Sequence, residues 1–313
     1  MIFPATTVLK ALMMIWMSFS AAACSAGTPV PAGSILENEK IREASGLAAS
    51  RLRSERIWIL NDGGNGPVLY AASIDGKDLG SVTILKARNR DWEALTAFEY
   101  RGKSYLAIGD IGDNDSRRKT CSIYIIEEPE TVSVSGSGCK PVRHIDFKFE
   151  DGPRDCEAMA VDTENRRILL LTKQKEPALY WLPLFPEPGA RVVVARRAGR
   201  RIDLKGAGGK IDDKGGFSLL DLFRYQPTGM DLSPDGRWLA VLTYHLVYLF
   251  PFDPEDFGGD TFRHTPRVFD FPRLPQAECI GFSADGRMLF ISSEKRPARL
   301  LAIDFSNGKD IEH

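Results

Sequence analysis

Histidine, cysteine and net charge are all scarce in this sequence. The 313 residues include four histidines and five cysteines, and the formal net charge is −1. No Cys-x-x-Cys pair or Cys/His cluster occurs, so the usual zinc ligand patterns are missing. The near balance of charge argues against a nucleic-acid-binding protein, because such proteins depend on a broad basic surface.

The motifs of several common catalytic sites are also absent. The sequence has no Gly-x-Ser-x-Gly elbow, no His-Glu-x-x-His zinc motif and no phosphate-binding Gly-x-x-x-x-Gly-Lys loop. Long amphipathic helical patterns are missing as well, so the sequence favours strands. With so few histidines, any catalysis would depend on carboxylates and a bound metal.

The N-terminal segment differs in composition from the rest of the chain. Lys10 is the only charged residue in residues 1–24, and the apolar run after it is too short to span a bilayer comfortably. We expect residues 1–24 to be a signal peptide, with a buried core helix as the alternative. Cys24 follows three alanines, as in a bacterial lipobox, which predicts lipidation there; simple cleavage nearby is the alternative. Residues 25–34 then form a flexible tether, and residues 35–313 form the folded domain.

An exported protein would lie in the periplasm or on the outer cell surface. Its contact with a membrane would be limited to the lipid anchor, and we expect a monomer. Four cysteines remain after Cys24, and an oxidising compartment permits disulfides between them. Cys121 and Cys139 flank a predicted hairpin and are the preferred pair.

Five segments of the chain share one pattern. Each has an acid or its amide, any residue, a polar residue, a small residue and then an apolar residue. The third residues of these segments are Ser45, Glu93, Glu157, Thr228 and Glu278. Their spacings of roughly 50 to 70 residues suit the four-stranded blades of a β-propeller, with insertions in the two longer intervals.

Each repeat continues with two or three short apolar strands and turn signals such as Ser233-Pro-Asp-Gly236. The sequence therefore predicts an all-β fold, a single β-propeller with five blades. Six blades remain possible if residues 191–204 hide a degenerate one. The last repeat is short, so we expect the N-terminal strand, within Ser34–Ile41, to complete it.

In a propeller, the innermost strands begin at one rim of the central channel, and the second strands return to that rim. Acidic residues at both positions should therefore meet, and such a cluster requires protonation or a bound cation. Oxygen ligands without histidine or cysteine favour Ca²⁺, with Mg²⁺ less favoured. The candidate metal ligands are Asp62, Glu93, Asp110, Asp113, Glu157 and Glu278. Alternatively, these acids cap backbone amides and join neighbouring blades.

Other polar residues at the same rim are candidates for contact with a ligand. Those predicted to bind it are Asn61, Asn114, Tyr244 and Glu294. Lys173 and Arg118 could bind an anionic ligand or simply pair with the acids. In a catalytic interpretation, Glu93 or Glu157 is the general base, and Lys173 or Arg118 stabilises developing negative charge.

Several of these motifs resemble a family of bacterial secreted, WD40-like proteins. The shared strings are Asn61-Asp-Gly-Gly64, Asp91-Trp-Glu93, Gly109-Asp-Ile-Gly-Asp-Asn114, Asp155-Cys-Glu-Ala158 and Thr228-Gly-Met-Asp-Leu-Ser-Pro-Asp-Gly236. The architecture is more distantly similar to esterase-like phytase, TolB-like and SMP-30-like propellers. This resemblance implies a propeller and, in the last case, a divalent ion in the channel. True WD40 signatures are missing.

Three functions follow as hypotheses. The first is a cell-envelope binding protein whose channel mouth holds Ca²⁺ and a small or polymeric ligand. The second is a metal-dependent hydrolase acting on a phosphoester, lactone or glycan. The third is a protein–protein scaffold that uses the opposite rim, with purely structural acids.

Overall fold

The computed structural model describes residues 33–199, 202–207, 223–255 and 261–305. The predicted signal peptide, most of the tether and Cys24 lie outside these residues. The regular secondary structure of the described part is almost entirely β-strand, as the sequence predicts. Its helical elements are α1 (Leu204–Ala207) and a short 3-10 helix (Thr261–Arg263).

The strands follow one another as antiparallel meanders. The first two meanders and the strands beside them are β1 (Ser34–Ile35), β2 (Ala44–Ala49), β3 (Arg56–Asn61), β4 (Val68–Ser73), β5 (Asp78–Ile84), β6 (Trp92–Tyr100), β7 (Lys103–Asp110), β8 (Cys121–Glu127), β9 (Ser137–Cys139) and β10 (Arg143–Phe149). The remaining strands are β11 (Cys156–Asp162), β12 (Arg167–Thr172), β13 (Leu179–Pro183), β14 (Val193–Ala198), β15 (Gly229–Leu232), β16 (Trp238–Leu242), β17 (Leu246–Pro251), β18 (Arg267–Asp270), β19 (Ala277–Phe282), β20 (Met288–Ser293) and β21 (Arg299–Asp304).

Hydrogen bonding groups these strands into four sheets of unequal size. The strand orders are β2-β3-β4-β5-β9, then β11-β12-β13-β14-β10-β8-β7-β6, then β15-β16-β17-β18, and finally β1-β21-β20-β19. The eight-stranded sheet consists of two meanders joined by parallel pairing of β10 with β14. The short β1 adds to β21 in antiparallel register, so the start and end of the folded domain share one sheet.

The first strands of the meanders form a closed ring. β2 packs on β6, β6 on β11, β11 on β15, β15 on β19, and β19 on β2 again. Antiparallel sheets arranged around such a ring constitute a β-propeller. The ring brings the starts of its strands to one end of a central channel, and this end positions the candidate site.

Close packing of the ring explains the small residue in the sequence repeat. A Cβ added at Gly46 would lie 2.8 Å from the backbone nitrogen of Leu95 on the next inner strand. A Cβ at Gly281 would lie 3.1 Å from the carbonyl of Leu47. Ala94 and Ala158 occupy the equivalent of Gly46 in two other repeats. Larger side chains there would push neighbouring strands apart.

Polar side chains join the inner strands at the end of the channel away from the strand starts. Arg51 donates hydrogen bonds to the carbonyls of Ala97, Phe282 and Ser283, at 3.2 to 3.3 Å. The buried Asp231 accepts hydrogen bonds from the Thr96 hydroxyl and the Phe282 amide, both at 2.8 Å. The aspartate of the repeat in β15 therefore joins three inner strands, a role beyond turn formation.

The cysteine pairing expected from the sequence is wrong. Cys121, Cys139, Cys156 and Cys279 are all free thiols. Cys121 begins β8 and packs in one apolar cluster, whereas Cys139 ends β9 and packs against another. The predicted hairpin does not form, because β8 pairs with β10 while β9 joins β5 in a different sheet.

Within the described ranges, no helix combines the length and the apolar character that a membrane span requires.

Candidate functional site

Four of the five repeat positions coincide with a β-bulge at the start of an inner strand. The pairing register shifts between Ala44 and Gly46, between Trp92 and Ala94, between Cys156 and Ala158, and between Ala277 and Cys279. The skipped residues are Ser45, Glu93, Glu157 and Glu278. A bulge redirects the side chain of its extra residue, and here the redirected residues line the channel.

The two hydroxyl residues of the repeat are structural. Ser45 donates a 2.8 Å hydrogen bond to the carbonyl of Trp92, and Thr228 donates one of 2.7 Å to the carbonyl of Ala277. Each bond joins an inner strand to the next. The sequence left this role open for the acids of the rim, whereas these two hydroxyl residues perform it.

The three glutamates of the repeat meet at one cavity. Glu93, Glu157 and Glu278 are each about 95% buried, and all three line a space of about 10 Å³ on the channel axis. This volume is about that of a single water molecule or ion. The sequence prediction that these carboxylates converge is therefore consistent with the structure. We call this end of the channel, with its surrounding acids, the acidic mouth.

One half of the acidic mouth contains its own cation. The Lys173 ammonium lies 2.6 Å from Glu157 Oε1 and 3.7 Å from Glu278 Oε1. It also lies 5.2 Å from the centre of the Tyr244 ring, and Tyr244 donates a 3.0 Å hydrogen bond to Glu278 Oε1. We call these residues, together with Glu294, the lysine half.

Burial raises the pKa values of the carboxyl groups in the lysine half. The Gln276 side-chain amide donates a 2.7 Å hydrogen bond to Glu294. Burial and, after it, the neighbouring Glu278 raise the pKa of Glu294 to about 8. Burial also raises the pKa of Glu157 to about 8, although the Lys173 ammonium opposes the shift. Burial alone would lower the pKa of Lys173, but the charges of Glu157 and Glu278 hold it above its ordinary value.

The other half of the acidic mouth consists of acids alone. Asp62, at the end of β3, meets Asp91 and Glu93, at the start of β6. One carboxylate oxygen from each lies within 4.8 Å of the oxygens of the other two. Glu93 has no hydrogen-bond or ion-pair partner in the described part of the chain. We call these three residues the carboxylate half.

Two glycines fix the position of Asp91. A Cβ at Gly63 would lie 2.5 Å from Asp91 Oδ1, and a Cβ at Gly112 would lie 2.7 Å from Asp91 Oδ2. The same added Cβ at Gly112 would lie 2.8 Å from Glu93 Cγ. The Asn-Asp-Gly-Gly and Gly-Asp-Ile-Gly-Asp-Asn strings therefore need glycine because their loops press directly on the carboxylate half.

Electrostatic repulsion is strong in this half. Burial raises the pKa of Asp91 to about 6, and the charge of Asp62 raises it further than any other neighbouring charge does. Burial and then the charges of Glu157 and Asp62 hold the pKa of Glu93 well above its ordinary value. On the axis, Glu157 Oε2 is buried and has no hydrogen-bond partner. Within the described residues, Asp62, Asp91 and Glu93 form no ion pair, although the charge of Arg118 partly offsets the rise in the pKa of Asp91.

Asp110 and Asp113, two of the predicted metal ligands, are engaged elsewhere. Arg118 lies 2.6 Å from Asp110 Oδ1 and also donates to the carbonyls of Asp110 and Gly112. Asp113 accepts hydrogen bonds from the backbone amides of Arg117 and Arg118, at 2.9 and 2.7 Å. Both aspartates hold the shape of the loop that presses on Asp91.

Two predicted ligand-binding residues also lie outside the cluster. The Asn61 side chain bonds the backbone of residues 40, 42 and 43. Asn114 is exposed on its loop. The sequence analysis does not include Asp91 among the candidate ligands, although Asp91 stands two residues before Glu93, the third residue of its repeat segment.

Comparisons with known proteins add little. No protein-family model matches the chain, and no curated protein does. Among solved structures, the chain is similar to hydrazine synthase of Kuenenia stuttgartiensis (12% identity, 84% of this chain, 72% of that chain, TM-score 0.41). It is also similar to a chain in the crystal structure of a nidogen/laminin complex (12% identity, 87% of this chain, 80% of that chain, TM-score 0.45).

Proposed function

We propose that this protein is a ligand-binding β-propeller whose acidic mouth holds one divalent cation on Asp62, Asp91 and Glu93. The observation that carries the proposal is the meeting of three carboxylates with no cation beside Glu93, next to a lysine half that has one. Repulsion of this kind is relieved when a cation binds.

The chemistry and spacing of the carboxylate half suit a hard cation. All its donor atoms are carboxylate oxygens, which Ca²⁺ and Mg²⁺ prefer over softer metals. Oxygen atoms that lie within 4.8 Å of one another need only small side-chain shifts to surround one Ca²⁺ ion at a distance of about 2.4 Å. We favour Ca²⁺, because it accepts irregular ligand geometry and Mg²⁺ demands near-ideal octahedra.

A ligand would reach this ion from one direction. Asp62 and Asp91 are partly exposed at the acidic mouth, so a ligand can approach the ion from that side. Coordination positions left free by the three carboxylates are available to oxygen atoms of a small or polymeric ligand. Tyr244 and Glu294 lie on the opposite side of the same mouth and would contact such a ligand.

We further propose that the propeller has five blades and is exported. The ring of β2, β6, β11, β15 and β19, each followed by an antiparallel meander, supports five. Export is supported by the composition of residues 1–24, and a lipid anchor by Cys24 after Ala-Ala-Ala.

Terbium luminescence tests the cation site directly. The buried Trp92 stands between Asp91 and Glu93, so excitation of its indole should sensitise a Tb³⁺ ion bound there, and Ca²⁺ should displace that ion. We expect Asp91→Asn and Glu93→Gln each to weaken binding by about tenfold or more, equivalent to ~1.4 kcal/mol or more. Asp115→Asn, which alters an exposed aspartate on the neighbouring loop, is the matched control and should bind as the wild type does.

Two results would contradict the proposal. One is the absence of saturable Tb³⁺ or Ca²⁺ binding; the other is unchanged binding in both variants. Chromogenic phosphoesters, lactones and glycans, assayed with and without a chelator, separate binding from hydrolysis. Chelator-sensitive turnover would assign the same mouth to a hydrolase.

A further inference from the structure

A second cavity lies outside the acidic mouth, between the start of β8 and the end of β10. Its volume is about 320 Å³, near the lower limit of typical small-molecule pockets. The residues that line it are Arg118, Lys119, Thr120, Cys121, Lys148, Phe149, Glu150, Gly152 and Pro153. We call it the basic cavity.

Positive charge predominates in the basic cavity. Lys119 and Lys148 are exposed, and neither has an ion-pair partner in the described ranges. Glu150 is the one acid among the lining residues, and its carboxylate already accepts a 2.8 Å hydrogen bond from the backbone amide of Arg197. Two ammonium groups and one carboxylate, none of them in an ion pair among the described residues, therefore lie at this concave surface and leave it with net positive charge.

The third cation of the basic cavity is held rigidly. Arg118 is only 10% exposed, and its guanidinium is fixed by Asp110 Oδ1 at 2.6 Å and by the carbonyl of Gly112 at 2.7 Å. Its Nε–H is buried and has no hydrogen-bond acceptor. A buried donor without an acceptor is destabilising, so a negatively charged group bound nearby would be favoured.

The remaining walls are apolar. Phe149 is 5% exposed and Cys121 2% exposed, and burial raises the pKa of the Cys121 thiol to about 11. The thiol is therefore a neutral, unreactive part of the wall at physiological pH. Pro153 completes the apolar side. A ligand that matches this cavity needs a negative charge at one end and a small apolar body.

We propose that the basic cavity binds a small organic anion. Its carboxylate or phosphate lies between Lys119 and Lys148 beside the Arg118 guanidinium, and its apolar part packs on Phe149 and Pro153. The site is separate from the cation site proposed above, although the loop that carries Arg118 also presses on Asp91 through Gly112. Binding here does not require the cation site to exist.

Calorimetric titration at low salt tests the proposal with three probes: phenyl phosphate, benzoate and inorganic phosphate. Phenyl phosphate and benzoate distinguish phosphate from carboxylate recognition, and inorganic phosphate lacks the apolar body. We expect saturable binding of at least one aromatic anion, and weaker binding of inorganic phosphate. The double variant Lys119→Gln/Lys148→Gln should weaken binding of the aromatic anion by about tenfold or more, because the charge-assisted contacts with both lysines are lost.

Lys103→Gln is the matched control, because Lys103 is also an exposed lysine but pairs with Glu127 at 2.8 Å. It should bind the anions as the wild type does, and the double variant should retain wild-type Tb³⁺ binding. The proposal is overturned if neither aromatic anion binds saturably, or if the double variant binds as tightly as the wild type. Equal affinity for phenyl phosphate and inorganic phosphate would overturn the apolar half of the proposal.

Discussion

Glu93 and Glu157 occupy the same bulge position in adjacent inner strands, but their charges are balanced differently. Glu157 lies 2.6 Å from the ammonium of Lys173, at the end of β12. Glu93 instead meets Asp62 and Asp91. Among the described residues, only the lysine half of the mouth thus has an ion-paired countercharge. Because buried charges of one sign are costly, we infer that the other side is completed from outside the chain.

The largest expected effect comes from removing the Lys173 ammonium, which is the cation of the lysine half. Lys173→Met leaves Glu157 and Glu278 without their ammonium, so we expect the free energy of unfolding to fall by about 3–5 kcal/mol. Urea denaturation measures this change. Lys103→Met, at an exposed ion pair, should change stability by about 0–1 kcal/mol. Equal effects of the two substitutions would show that the lysine half does not depend on its cation.

The second prediction concerns the divalent cation proposed for the carboxylate half. Ca²⁺ at one hundred times its dissociation constant should stabilise the wild type by about 2.7 kcal/mol. At the same Ca²⁺ concentration, Glu93→Gln should remove about half of this gain or more, while reducing repulsion in the cation-free protein. Thermal unfolding with Ca²⁺ or chelator compares the two proteins. If Ca²⁺ stabilised the variant as much as the wild type, Glu93 would not be a ligand of the ion.

The third prediction concerns the glycine that presses on the carboxylate half. Gly112→Ala would place a methyl group 2.7 Å from the Asp91 carboxylate, which should cost about 1–3 kcal/mol through overpacking and weaken Ca²⁺ binding. Gly66→Ala is the control, because its new methyl would meet nothing closer than 3.6 Å. Calorimetry and urea denaturation follow both variants. If Gly112→Ala and Gly66→Ala had the same stability and the same Ca²⁺ affinity, the loop could not fit closely against Asp91.

The smallest effect is on the pH dependence of stability. Burial raises the pKa of Glu294 to about 8 from an ordinary value of 4.5, so the folded state binds a proton that the unfolded state has lost. This contribution is complete below pH 4.5 and disappears as the pH rises through about 8. Glu294→Gln should therefore flatten the decline of stability over this range, measured with chelator. Glu164→Gln, at an exposed glutamate, is the control and should leave the decline of stability with pH unchanged. If Glu294→Gln showed the same decline as the wild type, the raised pKa could not belong to Glu294.

Repetition made much of the fold predictable. The five-residue pattern located the inner strands, and its small fourth residue reflects the contact seen between Gly46 and Leu95. The pattern also placed Glu93, Glu157 and Glu278 at one end of the channel. Periodicity suffices here because equivalent positions in a closed ring share one environment.

The details of charge balance could not be predicted in this way. The repeat gives no distances between side chains, so Lys173 could not be assigned to Glu157, nor Arg118 to Asp110. Asp91 precedes Glu93 by two residues, and the repeat alone does not show that its carboxylate meets those of Asp62 and Glu93. Cys121 and Cys139 were paired because closeness in sequence suggested a hairpin, whereas their strands belong to different sheets.

An anomalous difference map from a crystal grown with Tb³⁺ tests the central claim most directly. We predict a single strong peak within coordination distance of Asp62, Asp91 and Glu93, with Lys173 still beside Glu157. An empty carboxylate half, or a peak in the lysine half with the Lys173 ammonium displaced, would contradict the account.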